Sequence, residues 1–459
     1  MLIDLAYLRY PLPPDVQRLF EAGDFARMER VIAQRLEDSR TPQCLRERLR
    51  IQLAIAAQIP DAYPYTQEQL LDKLRQAVRD FTEDELEALR DDGTLDWRYV
   101  GGEVRFKDNA VDNLLKTRAA YAARATDERL AIVSAQRSRM LDERIEKMKN
   151  DGHARVRFEV RESLSVKSDR LTPGETLRIH LPLPVVGAQV KSASLLSTSH
   201  AAAFIAPPQE EHRTAYFELP YEPGMRVSAD FCYEIDAPYC APDPDNAAAE
   251  QPDFDTEEMP PHVVFTPYLR ALAKEIVGGE TNPLKKARLI YDFITTQAVY
   301  RFMPPYVTVT QIPEYFASGL RGDCGVQAIT FVTLCRLCGI PAKWQAGLYT
   351  TPDSTGNHDW ARFYVAPYGW LFADCSFGGS AYRAGLYDRW NFYFGNLEPW
   401  RLPLCSEFQQ AFNPPKRFLR RDPYDNQNGE IETLTRALDH DEYETDSCIL
   451  SYKELDEAK

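Results

Sequence analysis

The spacing of apolar and polar positions divides the chain into three regimes. Over residues 1–150 the apolar positions recur at helical spacing, as Phe25, Met28, Val31, Ile32 and Leu36 do after Asp24. Thr66 with Gln69, and Thr82 with Glu85, carry the capping-box signature ahead of two more apolar runs. Residues 97–106 (WRYVGGEVRF) read as a hairpin turning on Gly101-Gly102, followed by a helix from Asp108. Residues 119–150 are long and charged enough for one continuous connecting helix. After Gly152 the period drops to two. Residues 156–160, 176–181, 190–195, 215–219 and 227–233 alternate, and Pro173-Gly174 and Pro223-Gly224 supply turns. That spacing predicts an antiparallel β-sandwich over 153–240. Residues 241–261 read as an acidic, Pro- and Ala-rich linker. A mixed core over 262–403 opens with an apolar run at 267–273 and a helix at 284–296. Residues 404–459 read as a C-terminal extension packed on that core, with an acidic tail fraying from about Asp439. The fold class expected is therefore multidomain α+β.

Within the third regime the most apolar stretch is residues 326–340, VQAITFVTLCRLCGI. Its polar members, Gln327, Thr330, Thr333 and Arg336, recur every three residues, which predicts a helix with one thin polar stripe, otherwise buried. Asp323 is a suitable N-cap, and Gly339 followed by Pro341 a suitable stop. Cys324 then sits on the first turn, where unpaired N–H groups and the helix dipole favour a thiolate. Downstream, residues 358–365 (HDWARFYV) suit a strand with His358, Trp360, Arg362 and Tyr364 on one face. A turn at Pro367-Tyr368-Gly369 brings the strand 370–374 back, with Asp374 opposite or diagonal to His358. A thiol, an imidazole and a carboxylate to orient the imidazole are the parts of a cysteine nucleophile.

Gly322-Asp323-Cys324, Cys335-Arg336-Leu337-Cys338-Gly339-Ile340-Pro341-Ala342, His358-Asp359-Trp360 and Gly369-Trp370-Leu371-Phe372-Ala373-Asp374 together resemble the core of the transglutaminase-like superfamily. These are papain-like thiol enzymes that form or break amide bonds. The resemblance covers about residues 262–403. It implies that Cys324 is the nucleophile, His358 the general base and acid, and Asp374 the orienting carboxylate. It further implies a hydrolase of peptide or isopeptide bonds working through a thioester. Acyl transfer from glutamine to an amine is the alternative chemistry, and a non-catalytic binding protein on the same core the alternative class. The Cys324 N–H is a natural oxyanion donor; Gln311 is a candidate for the second, upstream donor, and Trp360 a candidate for packing or substrate contact. The calcium use of the animal enzymes does not carry over, because no acidic loop matches.

Composition narrows the partners. A formal charge of −15 disfavours nucleic acid or anionic membrane. The helix–hairpin–helix order near the N-terminus could suggest a winged DNA-binding module, but the acidic surroundings favour a packing or interaction domain. No apolar run reaches the length of a membrane span, and the N-terminus lacks a basic start and a cleavage site. Nine cysteines without staple-like spacing suit a reducing, cytoplasmic setting. Cys335 and Cys338 form a C-x-x-C without a second pair, so core packing is favoured over a metal or redox role. His180, His200 and His212 fall in no ligand pattern, and no metal or cofactor is called for. Asp359 competes with Asp374 as orienting acid, but strand alternation turns it to the opposite face. The expected partner is a peptide or protein substrate.

Overall fold

The computed structural model describes residues 4–127 and 129–455. Helices α1 (Pro14–Glu21), α2 (Phe25–Glu37) and α3 (Gln43–Ala62) bury Val16, Met28, Ile32, Ile55 and Ile59 in the main core. A separate small core joins α4 (Gln67–Ala77), α5 (Glu83–Asp91), β1 (Trp97–Val100), β2 (Glu103–Phe106) and α6 (Ala110–Thr117) around Leu70, Leu74, Leu86, Phe106 and Leu114. Both capping boxes close, at Thr66 with Gln69 and at Thr82 with Glu85. The hairpin turns on Gly101 and Gly102 at φ 62° and 86°, a left-handed pair that glycine adopts without strain. The continuous helix expected over 119–150 is broken. A short α7 (Ala119–Ala122) stops, and α8 (Arg129–Asp151) starts afresh. Ala125 turns inward to bridge Val78, and Arg124 donates to the Arg79 and Asp80 carbonyls and to Glu85. These contacts outweigh helix propensity in the intervening residues.

Strands β3 (His153–Val166), β4 (Thr176–Pro182), β5 (Val190–Thr198), β6 (Phe204–Ile205), β7 (Thr214–Pro220) and β8 (Arg226–Pro238) follow. The core then runs α9 (Pro267–Val277), α10 (Pro283–Gln297), β9 (Val299–Tyr300), α11 (Ile312–Gly319), β10 (Arg321–Gly322), α12 (Cys324–Leu337), β11 (Ala342–Thr351), β12 (Ser354–Val365), β13 (Gly369–Ala373), α13 (Cys375–Arg383), α14 (Tyr387–Phe392), β14 (Phe394–Gly395) and β15 (Arg401–Cys405). The chain ends in β16 (Glu430–Thr433) and β17 (Tyr443–Glu454), and these do not stay on the core. β16 pairs with β4 and β17 with β3, completing two four-stranded antiparallel sheets in the orders β16-β4-β7-β6 and β17-β3-β8-β5. The segment ahead of β16 packs on the core, with Phe408 edge-on to Trp344 at 5.2 Å, whereas the part of the extension expected to fray from about Asp439 is ordered as a strand of the preceding domain. Without it the long edge of β3 would be left open, which sheets avoid. The buried side chains of both sheets, Val156, Phe158, Ile179, Phe217 and Phe231 among them, join one core. Nor is 241–261 a free linker: Pro244 and Glu257 accept from Asn282 and Arg336 of the core at 2.8 and 3.1 Å.

Helix α12 lies against the five-stranded sheet β14-β13-β12-β11-β15, with Phe331 edge-on to Phe363 at 5.6 Å. Its polar stripe faces protein, not water. Gln327, Thr330, Thr333 and Arg336 are all buried, the threonines donating to carbonyls one turn back and Arg336 to the Ala342 and Glu257 carbonyls. Gln327 Nε2 donates to the Gly322 carbonyl at 2.9 Å, so the donors of all four side chains have backbone acceptors, which is what permits their burial.

The β3–β17 seam contains a buried acid. Glu162 pairs in register with Ser447, whose hydroxyl donates to it at 2.5 Å, and burial pushes the Glu162 carboxyl up to about 8. A raised folded-state pKa means the folded chain holds a proton that the unfolded chain gives up. This group therefore lowers stability as pH climbs from about 4.5 to about 8, by about 1.4 kcal/mol per pH unit. Glu162→Gln should remove that slope. Urea unfolding at pH 5.5 and 8.5 is expected to show the variant gaining a few kcal/mol on the wild type at the higher pH. An unchanged difference between the two pH values would show that Glu162 is not held protonated.

Candidate active site

Asp323 opens α12, its carboxylate accepting from Val326 N at 3.1 Å and from the Tyr306 hydroxyl at 2.5 Å. Cys324 follows, half-buried, on the first helical residue. Gly325 passes between Tyr306 and Asp359 so closely that a Cβ there would lie 2.3 Å from the tyrosine hydroxyl and 2.7 Å from the carboxylate, so a larger residue would force these side chains to shift. Across the sheet, β12 presents His358 and Asp359 in unbroken antiparallel register with β11.

The structure brings His358 and Asp374 together. Nε2 of the imidazole lies 2.7 Å from Asp374 Oδ2, and both side chains are buried. Asp374 also caps α13 by accepting from Phe377 N at 2.9 Å, and takes Arg401 Nη2 at 2.9 Å. Burial pushes the Asp374 carboxyl up, but His358, Arg401 and the Phe377 amide outweigh it and hold the group well below the usual carboxylate range. An ionised Asp374 can only accept, so the imidazole carries its proton on Nε2 and keeps a lone pair on Nδ1. Burial lowers the imidazole pKa, with Asp374 working against it.

Cys324 is placed differently from the sequence expectation. Its Sγ lies 3.2 Å from Asp359 Oδ2 and 4.0 Å from the Tyr300 hydroxyl, and no hydrogen bond joins it to His358. Neighbours on a regular strand point to opposite faces, and it is Asp359 that meets the sulfur while the His358 ring packs against Phe377 and Trp360. The resting thiolate expected from the helix terminus is therefore not favoured. Burial, then the charges of Asp359 and Asp323, push the Cys324 thiol well above its ordinary value. Burial and neighbouring acids likewise raise Asp359, and burial raises Asp323 to about 6. Lys116 of α6, its ammonium 5.1 Å from the Tyr300 ring and 5.0 Å from that of Phe302, opposes the rise at Cys324 and also acts on His358. A basic residue of the N-terminal region thus acts electrostatically on both groups.

The two auxiliary candidates serve elsewhere. Gln311 caps α11, its Oε1 accepting from Glu314 N at 2.8 Å and its Nε2 donating to the His262 carbonyl at 2.5 Å, so its amide is committed to structure. Trp360 is fully buried, with Nε1 donating to Gln345 at 2.8 Å. Cys335 is buried and Cys338 partly so, and all nine thiols are free. His180 and His212 are buried with partners in Thr214 and in Glu407 and Arg420.

Sequence reasoning missed Arg401, whose guanidinium is buried between Asp374 and Glu398 and stacked on the Phe377 and Tyr349 rings at 4.2 and 4.4 Å. The Glu398/Arg401 spacing was the available signal. It also missed Gln427, which donates to Asp359 Oδ1 at 2.7 Å and to the His358 carbonyl at 3.0 Å from a segment remote in sequence.

The core region is similar to known proteins. The transglutaminase-like superfamily matches residues 270–375, which hold Cys324, His358 and Asp374. An uncharacterized protein of Haemophilus influenzae is 28% identical over 137 residues, 25% of this chain, and the chain spans only 37% of that relative's length. Among solved structures, a proposed cysteine protease from Cytophaga hutchinsonii aligns at a TM-score of 0.44 and 14% identity, over 67% of this chain and 92% of the other. The periplasmic domain of TgpA from Pseudomonas aeruginosa aligns at 0.26 and 16%, over 53% and 94%.

Arg401 is the counter-ion for two buried acids. Arg401→Met should destabilise the fold by about 3–5 kcal/mol, because Asp374 and Glu398 would be left buried without a cation. Adding Glu398→Gln should restore part of the loss. Chemical denaturation reads both, and a cost under about 1 kcal/mol would mean that the cluster is not held by this arginine.

Proposed function

We propose that this chain is a cysteine-dependent hydrolase that cleaves peptide or isopeptide amide bonds through a thioester on Cys324. The observation that carries the reading is the His358–Asp374 pair, buried, fixed by Arg401 and left with a lone pair on Nδ1. Nδ1 takes the thiol proton, the sulfur attacks the amide carbonyl, and the resulting imidazolium protonates the departing amine. Water then cleaves the thioester by the reverse use of the same imidazole. The Cys324 N–H supplies one oxyanion donor. With Gln311 committed to its cap, the Tyr300 hydroxyl, 4.0 Å from the sulfur and 24 residues upstream, is the better second donor. A groove of about 660 Å³, lined by Tyr63, Asp96, Arg98, Arg301, Thr308 and Glu314, lies between the N-terminal helical region and the core, and Cys324, His358 and Asp374 are not among its lining residues. Transfer of the acyl group from glutamine to an amine uses the same steps with another acceptor.

A second reading has its own support. Sγ bonds Asp359 and not the imidazole, as a core kept for binding alone would allow. Incubation with peptide, isopeptide and glutamine-plus-amine substrates, followed by mass spectrometry, separates the three readings through new termini, amine adducts or neither. Cys324→Ala should abolish turnover, and Asp374→Asn should lower it by about 10⁴-fold by leaving the imidazole in the wrong tautomer. Full activity in Cys324→Ala would end the nucleophile assignment. A folded wild type inert toward all three substrate classes would favour the binding reading.

A further inference from the structure

Two side chains compete for the Cys324 proton, and only one of them touches it. Asp359 Oδ2 lies 3.2 Å from Sγ, while its Oδ1 is held by Gln427 at 2.7 Å, so the carboxylate is pinned from behind with one oxygen aimed at the sulfur. Asp359 is 6% exposed, which leaves water little access to the contact. We propose that Asp359 is a latch on the nucleophile: ionised, it accepts the Cys324 S–H and keeps the sulfur a thiol, and only when protonated or withdrawn does it release the sulfur to His358. This rests on the reading of Cys324 as nucleophile and His358 as its base.

The proton count explains the latch. The resting pair shares one proton and one negative charge. Moving the thiol proton to His358 Nδ1 leaves a thiolate, and with Asp359 still ionised two anions would stand at hydrogen-bond distance in a buried site. The arrangement becomes favourable when solvent supplies one proton to Asp359, giving carboxylic acid, thiolate and imidazolium. The surroundings make that uptake easy. Asp323 lies on α12, Asp374 behind the imidazole, Asp422 and Asp425 on the C-terminal segment and Cys405 on β15, with the hydroxyls of Tyr300 and Tyr306 alongside. Burial and these acids raise the Asp359 carboxyl, and the charge of Lys116 opposes the rise at the thiol.

Brief iodoacetamide labelling with peptide mass mapping, from pH 5.5 to 8.5, tests the latch without a substrate, using exposed Cys44 as internal reference. In the wild type Cys324 should label more slowly than Cys44 at pH 7.5. Asp359→Asn keeps the acceptor for Gln427 and turns an N–H toward the sulfur, so it should label at least ten-fold faster and shift the pH–rate midpoint downward. Asp359→Ser, which removes the charge with a smaller side chain, is read the same way should the asparagine variant misfold. An unchanged or slower rate with an unmoved pH profile would overturn the latch. Adding His358→Ala separates the two claims: loss of the gain supports both, whereas a gain that survives leaves the latch standing and removes His358 as the base.

Discussion

A helix with no solvent-facing side has to be wrapped, and the core around residues 262–403 is built as the wrapping of α12. Twelve of its residues from Gly325 to Arg336 are buried, including the four polar ones. Helices α10, α11 and α13, the five-stranded sheet and the segment 241–261 each cover part of it. The same burial sets the chemistry at its tip. A sulfur on a solvated helix terminus would be drawn toward the thiolate; here protein displaces water, and the charged form loses more than the helix dipole returns. Every ionisable group near Cys324 has to be understood from that desolvation first and from its partners second.

The partners explain why one acid ionises and its neighbour resists. Asp359 lies on β12 and Asp374 at the end of the adjacent β13, where it caps α13, and both are buried, yet Asp374 faces Arg401, His358 and an amide, while Asp359 faces a thiol and other acids. The pair thereby assigns itself: Asp374 is the permanent anion that holds the imidazole, and Asp359 the carboxyl whose proton is negotiable. The remote C-terminal segment completes this division, since Gln427 fixes Asp359 and strands β16 and β17 anchor that segment in the two-sheet domain. The pairing of β16 and β17 therefore fixes the segment that positions the Asp359 carboxylate.

The local signals in the sequence were legible. Both capping boxes, the Gly-Gly hairpin, the Asp323 cap and the pairing of His358 with Asp374 follow from spacing and turn chemistry, because each depends on residues close in the chain or joined by a tight turn. What escaped depends on long-range contact. The break after α7 is decided by Val78 and Glu85, the return of β17 by the open edge of β3, and the state of Cys324 by Asp359 and the packing around it. Strand alternation correctly turned Asp359 away from His358; it could not say that α12 would lie on that other face. Gln311, placed upstream as an oxyanion candidate, is absorbed by a helix cap that is visible in the sequence only once the helix is known.

The chemistry of the site turns on Cys324 being a thiol that shares its proton with Asp359. The direct measurement is the ¹³Cβ chemical shift of Cys324 in cysteine-labelled protein, assigned with Cys324→Ser and followed from pH 5 to 9. The signal is expected to stay at the thiol position through neutrality, and Asp359→Asn to move its transition to lower pH. A wild-type signal already at the thiolate position at pH 7, unmoved by Asp359→Asn, would contradict the shared proton.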